Sequence, residues 1–321
     1  MRALVTGAAG FIGARLAVRL CEAGHDVTGV DSFTDYYDVA LKRAQASGVI
    51  RAGAKLIEAD LNVVDVDALL DGIEVVFHLA GQPGVRASWG SEFATYTQSN
   101  IAATQRLLES SRDKPDLRRL VFASSSSVYG DAERYPTREG DRPQPVSPYG
   151  VTKLAAEHLC TLYASNFGVP SVSLRYFTVY GPGQRPDMAF TRFVNAAVRN
   201  AEIHVYGTGE QVRDFTYVDD VVEANVLAAS SGVPPGSVFN VAGGGHSSVN
   251  EVLAILEELT GKRLLVVRQD PIAGDVQRTG GDTTAIRSAL GWRPKVGVHE
   301  GLARQLAWAA DAAQRSGGMA R

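Results

Sequence analysis

Close to the amino terminus an apolar run, Ala3–Thr6, gives way to Gly7-Ala8-Ala9-Gly10-Phe11-Ile12-Gly13, and a helical pattern begins at once. Few folds accommodate that order. The turn needs a residue without a Cβ, a second where another group approaches the backbone, and a third where the helix packs on the strand. The helix so opened has N–H groups with no partner inside it, and they suit phosphate oxygens. The spacing is G-x-x-G-x-x-G in place of the commoner G-x-G-x-x-G. Asp31 closes the next apolar run, Asp26–Asp31, about 20 residues on, where a carboxylate accepts hydrogen bonds from ribose hydroxyls. A carboxylate there also repels a 2′-phosphate. The expected cofactor is therefore NAD, held by Gly7, Gly10, Phe11, Ile12, Gly13 and Asp31.

Further apolar runs follow at Lys55–Glu58, Val75–His78, Leu120–Ala123 and Ser171–Leu174. Helical patterns separate them at 11–23, 65–70, 92–111 and 149–166. Strand–helix alternation predicts an α/β fold, a Rossmann-type doubly wound parallel sheet with helices on both faces. After Arg175 the elements shorten, and Pro182, Gly183 and Pro186 interrupt them. The rhythm predicts an NAD-binding domain of 1–175 plus 216–241, with Ser237–Val241 returning to the sheet. A smaller mixed α/β substrate domain would take 176–215 and 242–321.

The net charge of −3 lacks the basic footprint of a nucleic-acid binder. Cys21 and Cys160 stand apart in apolar helical patterns, which predicts buried thiols and no metal site. A strand at the very start leaves no room for a signal peptide, and no apolar run is long enough to span a bilayer. The expected location is cytoplasmic, with no membrane partner.

Tyr149 and Lys153 form Y-x-x-x-K and share one helix face. A phenol with an ordinary pKa of about 10 is a poor base at neutral pH, and an adjacent ammonium together with a positive nicotinamide ring would lower it. The preceding run, Val121-Phe122-Ala123-Ser124-Ser125-Ser126-Ser127-Val128-Tyr129-Gly130, would deliver a serine hydroxyl to the carboxyl edge of the sheet.

GAAGFIG, Asp60-Leu61, His78-Leu79-Ala80-Gly81, SSSSVYG and Y-x-x-x-K together resemble the extended short-chain dehydrogenase/reductases, essentially end to end. The resemblance implies a catalytic set of Ser125, Tyr149 and Lys153. It implies that Asp60 and Leu61 bracket the adenine and that Leu79, Ala80 and Gly81 line the cofactor. Asn100 would support the active site, and Tyr176 would lie near the nicotinamide. In such enzymes C4 of a nucleotide-activated hexose is first oxidised. Dehydratases then carry an Asp-Glu pair after the catalytic Ser/Thr, and decarboxylases usually a glutamate at the second position. Here both positions are hydroxyls, Ser126 and Ser127, which leaves return of the hydride to the opposite face: epimerisation.

Arg175-Tyr176-Phe177-Thr178-Val179-Tyr180-Gly181-Pro182 with Arg185-Pro186-Asp187-Met188-Ala189 is similar to the UDP-glucuronate 4-epimerases in particular. So are Gln82-Pro83-Gly84-Val85-Arg86 and Asp35-Tyr36-Tyr37-Asp38. UDP-galactose 4-epimerases typically carry asparagine where Thr178 stands. The expected reaction converts UDP-glucuronate to UDP-galacturonate, with a UDP-glucose/galactose 4-epimerase as the alternative and a decarboxylase behind it. A 4-keto uronate is a β-keto acid, and hydroxyls can hold its carboxylate in an unreactive orientation. Ser126, Thr178 and Ser127 are the expected contacts, with Arg86 or Arg185 as the cation. The resemblance also assigns Arg213 and Arg192 to the diphosphate, Tyr206 to the uracil and Asp275 to its ribose. Ile272 stands where many relatives have an arginine, so Arg268 or Arg278 compensates or the phosphate grip differs. Helices 92–111 and 149–166 resemble those of a four-helix dimer interface, implying a homodimer.

Overall fold

The computed structural model describes residues 1–270 and 278–318, apart from the side chains of 315–318. Six strands alternate with helices: β1 (Arg2–Thr6), β2 (Asp26–Asp31), β3 (Lys55–Glu58), β4 (Val75–His78), β5 (Arg119–Ser125) and β6 (Ser171–Tyr176). The helices of this half are α1 (Phe11–Glu22), α2 (Val39–Arg51), α3 (Val66–Leu69), α4 (Phe93–Tyr96), α5 (Ala103–Ser111) and α6 (Pro148–Phe167). All strands pair parallel in the order Ser237–Val241, β6, β5, β4, β1, β2, β3. The order reverses between β1 and β4, the switch point where such sheets open a crevice at their carboxyl ends.

Parallel strands covered on both faces must be apolar throughout, and β4, β5 and β6 are buried at every position. One face packs Val5, Phe77, Val121 and Leu174 against Leu16 and Leu20 of α1. The opposite face packs Leu4, Val76 and Phe122 against Leu107 of α5 and Ala156 and Cys160 of α6. Each such aliphatic or aromatic side chain contributes about 1.5–3 kcal/mol on burial.

The expected strands are present. β5 and β6 each run two residues further, which carries Ser125 and Tyr176 to the sheet edge as register partners. The sequence reading missed α2. Its inward positions are Lys42, Ala46 and Val49, and a lysine on the buried stripe breaks the apolar period. Lys42 is accommodated because its ammonium donates to Thr34 O (2.7 Å) and Thr34 Oγ1 (2.8 Å). The expected helix 92–111 contains a π-helical stretch, Thr97–Ala102, between α4 and α5. Cys160 is buried as expected, whereas Cys21 is half-buried.

The C-terminal region pairs Glu202–Tyr206 with Leu265–Gln269 and Val212–Asp214 with His246–Ser248. Its own core holds Phe190, Phe193, Phe215, Leu253, Leu256 and Leu302. Ile286 and Trp292 instead join the core of the large sheet, and Trp292 Nε1 donates to Asp220 O at 2.9 Å. The C-terminal segment thus straps back across the first core. Among the described residues no helix is long and apolar enough to cross a membrane.

Candidate active site

The turn after β1 is shaped by contacts that only glycine permits. Gly7 has φ +72°, and a Cβ there would lie 2.9 Å from Ala80 N, where β4 ends. A Cβ on Gly13 would sit 2.1 Å from Gly7 O, so α1 could not approach the turn as it does. Asp31 accepts from Ala9 N (3.0 Å) and Phe33 N (2.8 Å), which fixes its carboxylate beside the turn. One cleft is lined by Gly7, Gly10, Phe11, Ile12, Gly13 and Asp31 at this end. Asp60 and Leu61 follow, then Leu79, Ala80 and Gly81, and at the far end Tyr149, Lys153 and Tyr176. Helix N-terminus, carboxylate and glycine cradle therefore fit a dinucleotide laid along the carboxyl edge.

Asn100, expected to support the active site, is not among the residues that line the cleft. It is buried in the π-helical stretch, with Oδ1 accepting Gln82 N (2.7 Å) and Nδ2 donating to Gln82 O (3.1 Å) and Thr152 Oγ1 (3.0 Å). A Cβ on Gly81 would meet Asn100 Oδ1 at 2.7 Å. Asn100 thus stands behind the cleft wall and orders it.

Tyr149 and Lys153 occupy the first two turns of α6, whose start is built locally. Ser147 Oγ accepts Gly150 N (3.1 Å), and Pro148 occupies the first turn, where a missing N–H costs nothing. Burial pushes the Tyr149 phenol up, while its hydrogen bond with Ser125 and the charge of Arg185 pull it down. Lys153 Nζ donates to Ala123 O at 2.9 Å and lies over the Phe122 ring, and burial lowers its ammonium to about 8. A cation that lowers the phenol, Arg185, comes from a loop 36 positions further along the chain (185 − 149).

Ser125 ends β5, and its Oγ also accepts Ser127 N at 3.1 Å, opening the short turn Ser126–Val128. Ser126 and Ser127 are half-buried beside it. Tyr176 donates its hydroxyl to Asn225 Oδ1 (2.9 Å), so its ring, not its oxygen, faces the cleft. Thr178 stands just beyond β6, its carbonyl accepting Thr216 N at 2.9 Å.

The structure separates the two candidate arginines. Arg185 lines the cleft, forms a two-point ion pair with Asp187 (3.0 and 2.9 Å), and lies 5.9 Å from the centre of the Tyr36 ring. Arg86 lies 5.2 Å from the centre of the Tyr206 ring, at the C-terminal region. Tyr206 lines a second hollow with Arg268, Gln269 and Asp270. Arg268 is committed to Thr208 O (2.6 Å) and Asn250 Oδ1 (2.7 Å), and Arg278 stacks on Tyr135. Arg213 donates to Val212 O within its strand, and Arg192 is exposed on the helix Ala189–Arg199. Asp275 and Ile272 lie outside the described residues. Sequence reasoning missed Lys42 and Ser99, which line the cleft, and gave Tyr36 and Tyr37 no role there. Lys42 belongs to the unrecognised α2, so no pattern led to it.

Residues 3–242 match the model of the NAD dependent epimerase/dehydratase family. A Bacillus subtilis (strain 168) relative named as an uncharacterized UDP-glucose epimerase is 40% identical over 312 residues, 96% of this chain and 98% of the relative. A UDP-glucuronate 4-epimerase of Thermodesulfobacterium geofontis (strain OPF15) is 36% identical over 95% of each chain. The crystal structure of a Bacillus cereus UDP-glucuronic acid 4-epimerase, in complex with UDP-glucuronic acid and NAD, matches with a TM-score of 0.93. It is 38% identical, with 97% of this chain and 100% of that chain covered.

Proposed function

Because the chain belongs to the NAD dependent epimerase/dehydratase family, we propose that it uses NAD to invert C4 of UDP-glucuronate, giving UDP-galacturonate through a 4-keto intermediate. One observation carries the choice of reaction. Ser126 and Ser127, both hydroxyls, follow Ser125, and a cation, Arg185, stands beside Tyr149 in the same cleft. Neither position after Ser125 carries the carboxylate that an elimination would use, and a carboxylate-bearing substrate would meet the Arg185 guanidinium in the cleft.

The glycine cradle, Asp31, Asp60, Leu61, Leu79, Ala80 and Gly81 would hold NAD with its nicotinamide toward Tyr149 and Tyr176. When bound, the cofactor supplies a hydride acceptor and, once reduced, the matching donor. The chain itself handles the proton. Tyr149 as phenolate takes the C4 hydroxyl proton and returns it to the inverted alkoxide, while Ser125 bonds to the oxygen that changes charge. Lys153 steers the first two turns of α6 through its bond to Ala123 O and adds positive charge near the phenol. Ser126, Ser127 and Thr178 would contact the uronate carboxylate, with Arg185 as its cation. Arg86 and Tyr206 belong to the uridine end, and Arg213, Arg192 and Asp275 complete the nucleotide grip. On this division the first lobe, 1–175 plus 216–241, binds the cofactor and the remainder binds the sugar nucleotide.

The deciding experiment incubates the NAD-loaded protein separately with UDP-glucuronate and UDP-glucose and reads the products by NMR. UDP-galacturonate without CO₂ is expected. Conversion of UDP-glucose alone would replace this reading with the second one, which the name of the Bacillus subtilis relative favours. The protein is expected to act as a homodimer, since Val151 and Leu162, three turns apart on one face of α6, are exposed.

A further inference from the structure

Arg185 reaches the cleft from a turn with little regular structure of its own. Gly181 (φ +138°) and Gly183 (φ +82°) adopt backbone that side-chain-bearing residues rarely occupy. Such a turn keeps its shape only where its polar backbone groups are held from outside. Three buried side chains hold it: Gln184, Thr191 and Gln305.

Gln184 Nε2 donates to Val179 O (2.9 Å), and its Oε1 accepts from Thr191 N (3.1 Å) and Thr191 Oγ1 (2.9 Å). Gln305 comes from the C-terminal helix Val298–Gly318. Its Oε1 accepts Gly181 N (3.1 Å), and its Nε2 donates to Gln184 Oε1 (3.1 Å). From the other side Gln45 of α2 donates to Gly183 O at 3.3 Å. The helix Val298–Gly318 otherwise packs Leu302 and Ala309 into the C-terminal core. A primary amide only 1% exposed in that setting is costly unless its bonds are satisfied, and these bonds converge on the arginine-bearing turn.

We propose that Gln305 is a positioning residue which, through Gln184 and the Gly181–Arg185 turn, sets the Arg185 guanidinium and so keeps the substrate carboxylate attached during turnover. The proposal rests on the reading above that Arg185 holds that carboxylate. Once C4 is a ketone, alignment of the C5–C6 bond with the carbonyl π system lets that bond break. CO₂ leaves, its bonding pair stays as an enolate across C5 and C4, and a proton added at C5 gives a 4-keto pentose. A guanidinium fixed from outside the cleft holds the carboxylate away from that alignment. A turn that drifts releases it.

The test compares wild type, Gln305→Met, Arg185→Ala and the double variant on UDP-glucuronate, reading CO₂-derived product against UDP-galacturonate by NMR. Methionine conserves the volume but removes both amide bonds. NAD binding and thermal melting verify that each variant is folded. Gln305→Met should raise the decarboxylated fraction about five- to tenfold, the scale of one or two lost hydrogen bonds. It should add nothing in the Arg185→Ala background. If Arg185→Ala leaks CO₂ and Gln305→Met does not, the positioning role is wrong while the carboxylate reading stands. An additive double variant also overturns it. If Arg185→Ala itself does not leak, the carboxylate reading fails and takes this proposal with it.

Discussion

At the scale of single residues, the chemistry turns on whether Tyr149 carries its proton. Burial raises the phenol above its ordinary value of 10 and lowers the ammonium to about 8, so burial by itself favours an un-ionised phenol, and the Ser125 hydrogen bond and the Arg185 charge act against it. The base form needs an ionised phenol, so the rate should climb with rising pH as Tyr149 loses its proton, read from the pH profile of kcat. Tyr149→Phe should cost about a thousandfold in kcat, with NAD affinity retained, as checked by stopped-flow and fluorescence quenching. Lys153→Met should displace the climb to higher pH and lower kcat about a hundredfold. An unmoved pH profile in that variant would detach the lysine from the phenol altogether. Y-x-x-x-K was legible because a helix fixes the relation of its members. Arg185 was legible only as a candidate, since its distance from Tyr149 is set by a loop.

At the scale of elements, β1, β4, the π-helical stretch and α5 are tied by one buried imidazole. His78 Nδ1 lies 2.8 Å from Thr6 Oγ1, and its Nε2 lies 2.9 Å from Thr104 Oγ1, which in turn donates to Asn100 O. Burial lowers His78 to about 3, so it stays neutral in the fold. Below its ordinary value of 6.5 the unfolded chain takes up a proton that the folded chain refuses. Stability is therefore lost as pH falls from 6.5 toward 3, by about 2 kcal/mol between 6.5 and 5 from this group alone. Asp214 acts in the opposite sense. Its carboxyl is raised to about 7 by burial, so it loses stability as pH rises through that same range. The difference between wild type and His78→Gln isolates the histidine. Denaturant unfolding at pH 7 and pH 5 should show the variant less stable at pH 7 and about 2 kcal/mol less acid-sensitive than wild type. Equal acid sensitivity in both would mean that His78 is protonated in the fold. The strands were readable because double burial makes them apolar runs. α2 was not, because Lys42 solves its burial through Thr34, a partner that periodicity does not show.

For the whole molecule, assembly and lobe arrangement follow from what each surface leaves uncovered. Val151 and Leu162 remain 46% and 53% exposed on one face of α6, and Phe93 of the contacting α4 is 42% exposed. Leu162→Glu should convert a dimer to a monomer, halving the mass seen by sedimentation while NAD binding persists. A wild type that sediments as a monomer would remove the expected interface. The lobes are bridged at several places: Arg86 on Tyr206, Trp292 on Asp220, and Gln45 on Gly183. None of these was visible beforehand.

The sequence by itself determined the glycine turn, the carboxylate beside it, the parallel sheet and the tyrosine–lysine pair. Each depends on chain geometry over a few residues or on an apolar period, and both are written locally. Tertiary structure alone decided that Arg185 comes to stand near Tyr149, that Asn100 stands behind the cleft wall, and that Arg86 lies against Tyr206 while Arg185 lies near Tyr36. Those outcomes depend on distances and burial between segments remote in sequence, and the strength of an electrostatic contact follows the spatial separation and the surrounding dielectric, not the position along the chain.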